Sequence, residues 1–491
     1  MRVREIDRRD FLTLSGLGVL AAGGLATGAL AGCSRNAPGD KADYTLRIAR
    51  SDLEVAPNKV ISTTTYNGQF PGPLLRFTEG KRTTVDVYND TSTPEQLHWH
   101  GQRLPVDVDG SAEEGTPFIP AHGMRRISFV PGPLGFRFYH THLAPGADLT
   151  GGQYGGEVGP VYIEPTNEPA AYDREVFLTL KEFQPMLRQG EMPGGFLAGE
   201  SIADLKDMGE REMRASLAAG MAHGYKVGYD TFTINGRSLG HGDPIRVKAG
   251  DRVLLHVLNG SATTNRSLAL PGHNFTVVAL DGNPVPNPVA VPVLWLGTAE
   301  RISAIVEMSN PGIWVLGDLA DEDRQAGMGI VVEYAGRTGD PQWTPAPPFR
   351  WDYRVFADPG GTPPAVDHVL DMLIEKRNAA SNGFNVWTIN GRPFSMDADQ
   401  PVLDIVHGQR YRLRFRNASE NVHPMHLHRH TFEITHIAGG PTAGIRKDVA
   451  MLGGYQAMDV DFLADQQGLS LLHCHEQLHM DFGLMVLLRC A

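Results

Sequence analysis

One short run, His473-Cys474-His475, constrains this chain more than any other part of it. Successive side chains of a β-strand point to opposite faces. A strand through this run therefore presents two imidazoles on one side and a thiol on the other, so one segment can serve two metal sites. Three more His-x-His pairs carry the same one-face geometry: His98 and His100 in LHWHG, His140 and His142 in YHTH, and His426 and His428 in HPMHLH. His423 and His479 stand beside the later groups. A single such pair is weak evidence for a metal; four, one of them flanking a cysteine, are strong evidence. Imidazole with thiolate favours copper, zinc or iron, whereas carboxylate-rich sets favour magnesium or calcium.

The chain also repeats itself. Asn67-Gly68, Asn235-Gly236 and Asn390-Gly391 each open a similar unit. Each is followed by an alternating stretch, a glycine turn (Gly80, Gly250, Gly408), a second stretch and an asparagine (Asn89, Asn259, Asn417). Residues 245–261 and 403–419 alternate apolar and polar positions with period two, the signal of half-buried strands. A length of 491 residues suits about three domains. The 56 glycines and 34 prolines suit many short strands and turns. The boundaries fall near 165–172 and in the proline-rich stretch 336–350, giving domains over 43–165, 172–336 and 350–491. The expected fold is all-β, three Greek-key sandwiches. A net charge of −12 argues against a nucleic-acid partner and is compatible with a cationic substrate. The three cysteines imply no disulfide framework, and Cys490 reads as a bystander thiol.

Residues 1–33 read as a targeting segment. Arg8-Arg9-Asp10-Phe11-Leu12 has the twin-arginine pattern. Leu30-Ala31-Gly32-Cys33 resembles a bacterial lipobox, which would make Cys33 the lipidated first residue of the mature protein. The expectation is export by the twin-arginine machinery and a lipid anchor in the periplasm or cell envelope. The alternative is an uncleaved helical anchor.

From about Tyr44 to the C-terminus the chain resembles the three-domain multicopper oxidases, the family of laccases and bacterial cuprous oxidases. The resemblance implies cupredoxin-like domains and four copper ions: one type 1, one type 2 and two type 3. Type 1 copper would take His423, Cys474 and His479. Type 2 would take His98 and His426. The type 3 pair would take His100, His140, His142, His428, His473 and His475. Asp109 matches the family's acidic residue near the type 2 ion. Electrons from a reductant would enter near His479 and pass through Cys474 to His473 and His475, and O2 would be reduced to water. The axial type 1 position falls on Leu484, which leaves that site unligated unless the neighbouring Met485 serves it. Met480 stands where many relatives carry a carboxylate, so proton delivery would use Glu476, Asp481 or another route. His430 would share a face with the His426–His428 pair without being a ligand. His273 reads as a core or turn histidine, and Trp99 as core.

The stretch 184–229 of the middle domain is longer than a hairpin needs and carries Met186, Met192, Met208, Met213, Met221 and His223. Part of it reads as helix. Thioethers select Cu(I), so Met208, Met213 and Met221 are candidate substrate-binding residues, with packing as the competing reading. The expected reductant is Cu(I), then Fe(II), in copper detoxification; a phenol is the runner-up. A non-catalytic copper-binding or structural envelope protein is the remaining alternative. A monomer is expected.

Overall fold

The alternating stretches fold as strands, and the Asn-Gly pairs turn between them. In the computed structural model, which describes residues 41–165, 171–189, 195–221, 223–397 and 400–491, both residues of each pair have positive φ. The values are 56° and 71° at Asn67-Gly68, 52° and 75° at Asn235-Gly236, and 53° and 77° at Asn390-Gly391. That backbone closes a tight hairpin whose twist matches its strands. Each asparagine also ties its turn to a neighbouring strand: Oδ1 accepts from Arg47 N at 2.6 Å, Thr179 N at 2.8 Å and Leu373 N at 2.9 Å, respectively. The leader, with Arg8, Arg9 and Cys33, lies outside the described residues, as does Met192.

The second set of asparagines forms another threefold device. Asn89, Asn259 and Asn417 are each fully buried. The amide of Asn89 donates to Thr93 O and Ile119 O, that of Asn259 to Thr264 O and Leu296 O, and that of Asn417 to Asn421 O and Gly453 O. Each Oδ1 accepts the backbone N–H two residues on, from Thr91, Ser261 or Ser419. One side chain thus satisfies the loop carbonyls that would otherwise be buried without partners.

The strands form sandwiches, as expected of an all-β chain. In the first, Lys59–Tyr66, Tyr44–Ala56, Thr83–Asn89 and Gly123–Phe129 make one sheet. Leu75–Thr78, Val158–Glu164, Gly135–His140 and His98–His100 make the other. Trp99 is fully buried and packs on Phe77, Phe129 and Tyr139. The central strands, from Arg174–Gln189 to Gly329–Tyr334, form a six-stranded sheet with smaller sheets of three and two strands. The last sandwich has a six-stranded sheet and a five-stranded sheet ordered Val402–Ile405, Met485–Cys490, Gly468–Cys474, His423–Leu427 and Val449–Leu452.

Two local readings change. The stretch 184–229 is not all insertion: Arg174–Gln189 pairs with Tyr225–Ile234 in a continuous antiparallel register, Gln189 opposite Tyr225. The excursion leaves the hairpin only beyond Gln189, and its helix is Ala203–Ala218. His430 does not share the face of His426 and His428, because the strand ends at Leu427 and Arg429 takes φ 63°. Its ring packs instead on Phe462. His273 is a buried turn histidine bonded to Pro271 O and Tyr334 OH.

Asn259→Ala is expected to destabilise the protein by about 1–3 kcal/mol, the cost of leaving buried carbonyls unpartnered, measured by denaturant unfolding. Asn417→Ala should cost a similar amount. Because Ser419 also bonds His423 Nε2 at 3.0 Å, only Asn417→Ala should also perturb the metal site around Cys474.

Candidate metal centre

The register of two sheets assembles the histidines. His98 lies opposite His140 across one ladder, and His426 lies opposite His473 across another. The two ladders, from the first and last sandwiches, meet ring to ring. His98 stacks on His428 with centroids 4.0 Å apart, and His100 stacks on His426 at 3.8 Å. Eight imidazoles are brought together here, none more than 1% exposed. Their ring nitrogens fall into three sets: His98, His100 and His426; His100, His140 and His475; and His142, His428 and His473. The last two sets divide the six expected type 3 ligands between two ions, and the first contains both expected type 2 ligands.

The far nitrogens of most of these rings face acceptors. His140 Nδ1 donates to Thr141 O at 2.7 Å, His426 Nδ1 to Asp448 O at 2.7 Å and His473 Nδ1 to Cys474 O at 2.9 Å. Asp109 Oδ2 lies 2.9 Å from His428 Nδ1 and 3.0 Å from His98 Nδ1, so the expected acidic residue sits between two ligands. Such outer contacts fix which nitrogen faces inward and raise its basicity. Facing inward, Nε2 of His98, His140, His142 and His426 and Nδ1 of His100 are buried with no partner. Unpartnered nitrogens converging on a few points are what bound copper would satisfy, so the residues fit the cofactor.

On the other face of Gly468–Cys474, the thiol meets its own pair. Cys474 Sγ lies 3.6 Å from His423 Nδ1 and 3.5 Å from His479 Nδ1, and those nitrogens are 3.2 Å apart. His479 sits on the one-turn helix Gln477–Asp481 that follows the strand. Its Nε2 faces Glu476 Oε2 at 3.3 Å. Trp387 packs on both imidazoles. Burial brings His423 down to about 3, helped by the Lys376 charge, and pushes the Cys474 thiol well up. A thiol so placed ionises only with a cation on its sulfur.

Leu484 is fully buried in the same apolar cluster as Cys474. Met485 pairs with His473, so it faces away from Cys474, and it packs instead with Phe394, Leu471, Met480 and Leu487. Leu484 O accepts from Cys474 N at 3.1 Å, which places Leu484 rather than Met485 beside the thiol's strand position. Cys490 is buried, its sulfur 4.0 Å from Ala464 O.

Several polar groups at the site were not read from the sequence. Glu113 Oε2 lies 3.3 Å from His142 Nδ1. Burial would raise its carboxyl, but the imidazole and Ser111 outweigh that and bring it down to about 2. Glu114 lies 3.5 Å from His428 Nδ1 and accepts from Leu471 N at 2.6 Å. Asp448 lies 3.0 Å from His100 Nε2. Of the two acids expected for proton delivery, Glu476 lies beside His479, and Asp481, bonded to Gly146 N and Gln477, lies within reach of the charge on Glu113. Met208, Met213 and Met221 are not gathered at one point. The first two are half-buried on the helix Ala203–Ala218, five residues apart and so on different faces, and Met221 is 37% exposed beyond its end.

With copper bound, the protein is expected to show the strong visible absorption of a thiolate–copper bond. Cys474→Ser should abolish it while leaving the copper at the eight-histidine cluster. Leu484→Met should lower the reduction potential measured at the Cys474 site, because a thioether adds electron density that favours Cu(II).

Three family models described as multicopper oxidase match residues 47–168, 202–330 and 362–490. The chain is 31% identical to multicopper oxidase MmcO of Mycobacterium tuberculosis (strain ATCC 25618 / H37Rv) over 458 residues, 90% of this chain and 85% of that protein. It is 30% identical to copper resistance protein A of Escherichia coli over 271 residues, spanning 50% of this chain and 42% of the relative. Among solved structures it is similar to Fet3p, described as a multicopper oxidase that functions in iron import, with TM-score 0.73 and 17% identity over 91% of this chain and 90% of that one. The laccase of Botrytis aclada gives TM-score 0.72 and 20% identity over 91% and 87%. These likenesses establish the fold, and the matches along all three sandwiches establish the family: the chain belongs to the multicopper oxidases, copper-dependent oxidoreductases.

Proposed function

We propose that this oxidase takes electrons from a reduced metal ion, Cu(I) ahead of Fe(II), at His479 and passes them to O2. The observation that carries the reading is the size and lining of the cavity at His479. It holds about 40 Å³ and is lined by Glu476, Glu420, His223, Lys376 and Trp387 as well as His479. That is room for an ion and little else: one water needs roughly 10–15 Å³, whereas organic ligands occupy pockets of roughly 300 Å³ or more. Burial pushes the Glu476 carboxyl well up, so an entering cation would be what ionises it; its oxygen, 3.3 Å from His479 Nε2, supports a cation as the occupant even though Lys226 and Lys376 also line the cavity. Thioethers on the nearby helix and a relative named copper resistance protein A support Cu(I).

Bound copper supplies reversible one-electron chemistry. The chain supplies the rest. His423, Cys474 and His479 would hold the type 1 ion. His98 and His426 would hold the type 2 ion, and His100, His140, His142, His428, His473 and His475 the type 3 pair. Cys474 is peptide-bonded to both His473 and His475, so the two sites share a covalent connection. Asp109, Glu113 and Glu114 place carboxyl groups against the Nδ1 side of His98, His142 and His428, where they orient the rings.

A phenolic reductant is the second reading. A groove of about 460 Å³ lined by Met208, Glu375 and Lys376 adjoins the cavity through Lys376 and has room for a ring. The wild-type protein is expected to turn over Cu(I) faster than phenols. Glu476→Gln should lower kcat/KM for metal ions about tenfold or more while leaving the visible absorption and phenol turnover in place. Changing Met208, Met213 and Met221 together to leucine should selectively lower Cu(I) turnover. Dominant phenol oxidation, unchanged by either set, would overturn the reading.

We further propose export by the twin-arginine route and anchoring through lipid on Cys33, supported by the leader sequence. Bacterial lipoproteins carry more than one acyl chain, which makes attachment stable. Cys33→Ala should release the protein from the membrane fraction. A variant that stays there favours the uncleaved helix.

A further inference from the structure

Seven of the eight clustered histidines have a ring nitrogen facing an oxygen acceptor, six of them in a hydrogen bond and His142 at 3.3 Å from Glu113, and one of the seven is turned around. At His98, His140, His142, His426, His428 and His473 the outward nitrogen is Nδ1, facing Asp109, Thr141 O, Glu113, Asp448 O, Asp109 and Cys474 O. At His100 it is Nε2 that faces outward, 3.0 Å from Asp448 Oδ1, and the buried Nδ1 is left without a partner. An ionised carboxylate only accepts hydrogen bonds. The nitrogen facing it must carry the proton, which leaves Nδ1 as the lone pair available to a metal.

Asp448 cannot turn away. Arg301 grips it with two bonds, Nη1 to Oδ1 and Nη2 to Oδ2, both 2.6 Å. Arg137 Nη1 donates to Oδ2 at 3.1 Å. Planar bidentate pairing of this kind fixes direction as well as distance. The clamp draws on all three sandwiches: Arg137 and His100 from the first, Arg301 from the second, Asp448 from the third. It continues into the second sandwich, where Asp281 accepts from Arg301 N at 2.9 Å and Val449 N at 3.0 Å and forms an ion pair with Lys447 Nζ at 2.9 Å. Lys447 also meets Glu300 at 3.0 Å. Three cations thus face three carboxylates with at most 2% side-chain exposure. Gly101, at φ 77°, lets the backbone after His100 lie against this group; a Cβ there would fall 2.6 Å from Asp448 Oδ2.

We propose that Asp448, held by Arg301 and Arg137, is the positioning residue that turns His100 Nδ1 into the cluster, so that the central sandwich, which contributes none of the clustered histidines, controls copper retention at the type 3 pair. This rests on the assignment of His100 as a ligand. Asp448→Asn is the direct test. Both oxygens of Asp448 accept from cations, so either orientation of the amide sets an N–H against a donor and loosens His100. Lys447→Met is the control: it breaks the same ionic network but leaves the contacts of Asp448 with His100, Arg301 and Arg137 in place.

Copper per chain, near-ultraviolet absorption of the type 3 pair and visible absorption of the Cys474 site are measured on each protein after graded chelator treatment. The expected result is that Asp448→Asn loses type 3 copper about 10–100-fold more readily than wild type, with the visible band retained. Lys447→Met should unfold more easily yet keep its copper. Arg301→Lys, which keeps the charge but loses the bidentate grip, should fall between, and it carries the test if Asp448→Asn does not fold. Full type 3 retention in Asp448→Asn and Arg301→Lys, or equal loss in all three variants, overturns the proposal. A wild-type protein lacking the type 3 signature would instead overturn the ligand assignment.

Discussion

The strand Gly468–Cys474 divides two kinds of chemistry between its faces, and the rest of the molecule is arranged around that division. On one side lies a thiol among Leu484, Trp387 and two imidazoles; on the other, a chamber of eight imidazoles. Side-chain alternation keeps the two apart while a single peptide bond joins them. Everything that flanks the strand must respect both faces. His423 and His426, three residues apart on the adjacent strand, therefore also fall on opposite sides and serve opposite sites.

Closing the chamber requires the outer sandwiches to meet, and their meeting buries charge. Arg137, Asp281, Glu300, Arg301, Lys447 and Asp448 are all out of water. Six isolated charges would be costly; as three cations set against three acidic groups at ion-pair distance, the set can be tolerated. Burying ions adds little net stability over packed hydrocarbon, but it is demanding about geometry, because misplacing one sandwich leaves a charge unpaired. The network is therefore demanding of register, and in the arrangement present His98 stacks on His428 and His100 on His426.

Much of this was legible in the chain. Spacing alone put His98 with His100 and His473 with His475 on common faces, and the Asn-Gly and asparagine repeats marked the strands and turns of all three units. What stayed hidden has a common cause. Asp448, Arg301, Arg137 and Glu113 sit in segments with no distinctive spacing, and their partners are far away in sequence, 348 residues in the case of His100 and Asp448. Only the tertiary fold brings them together. His430 misled for a local reason: alternation was carried past Leu427, where the left-handed turn at Arg429 had already ended the strand. The extent of the methionine stretch was overread because the hairpin around it is unusually long, and its strands carry few of the apolar-polar alternations that would have revealed them.

The narrow cavity at His479 has a consequence for how this enzyme chooses among reductants. Under the proposed function, a bare ion would enter and sit against the imidazole edge only after shedding most of its water, so its selection would be made at the moment of dehydration. A larger donor stays outside and must deliver its electron across the wall formed by Glu476, Leu478 and Trp387. Electron transfer falls off steeply with separation. Under the proposed function the discrimination would be a matter of distance and timing, a kinetic sieve, and widening the mouth would change which donors are fast without altering how any of them is bound.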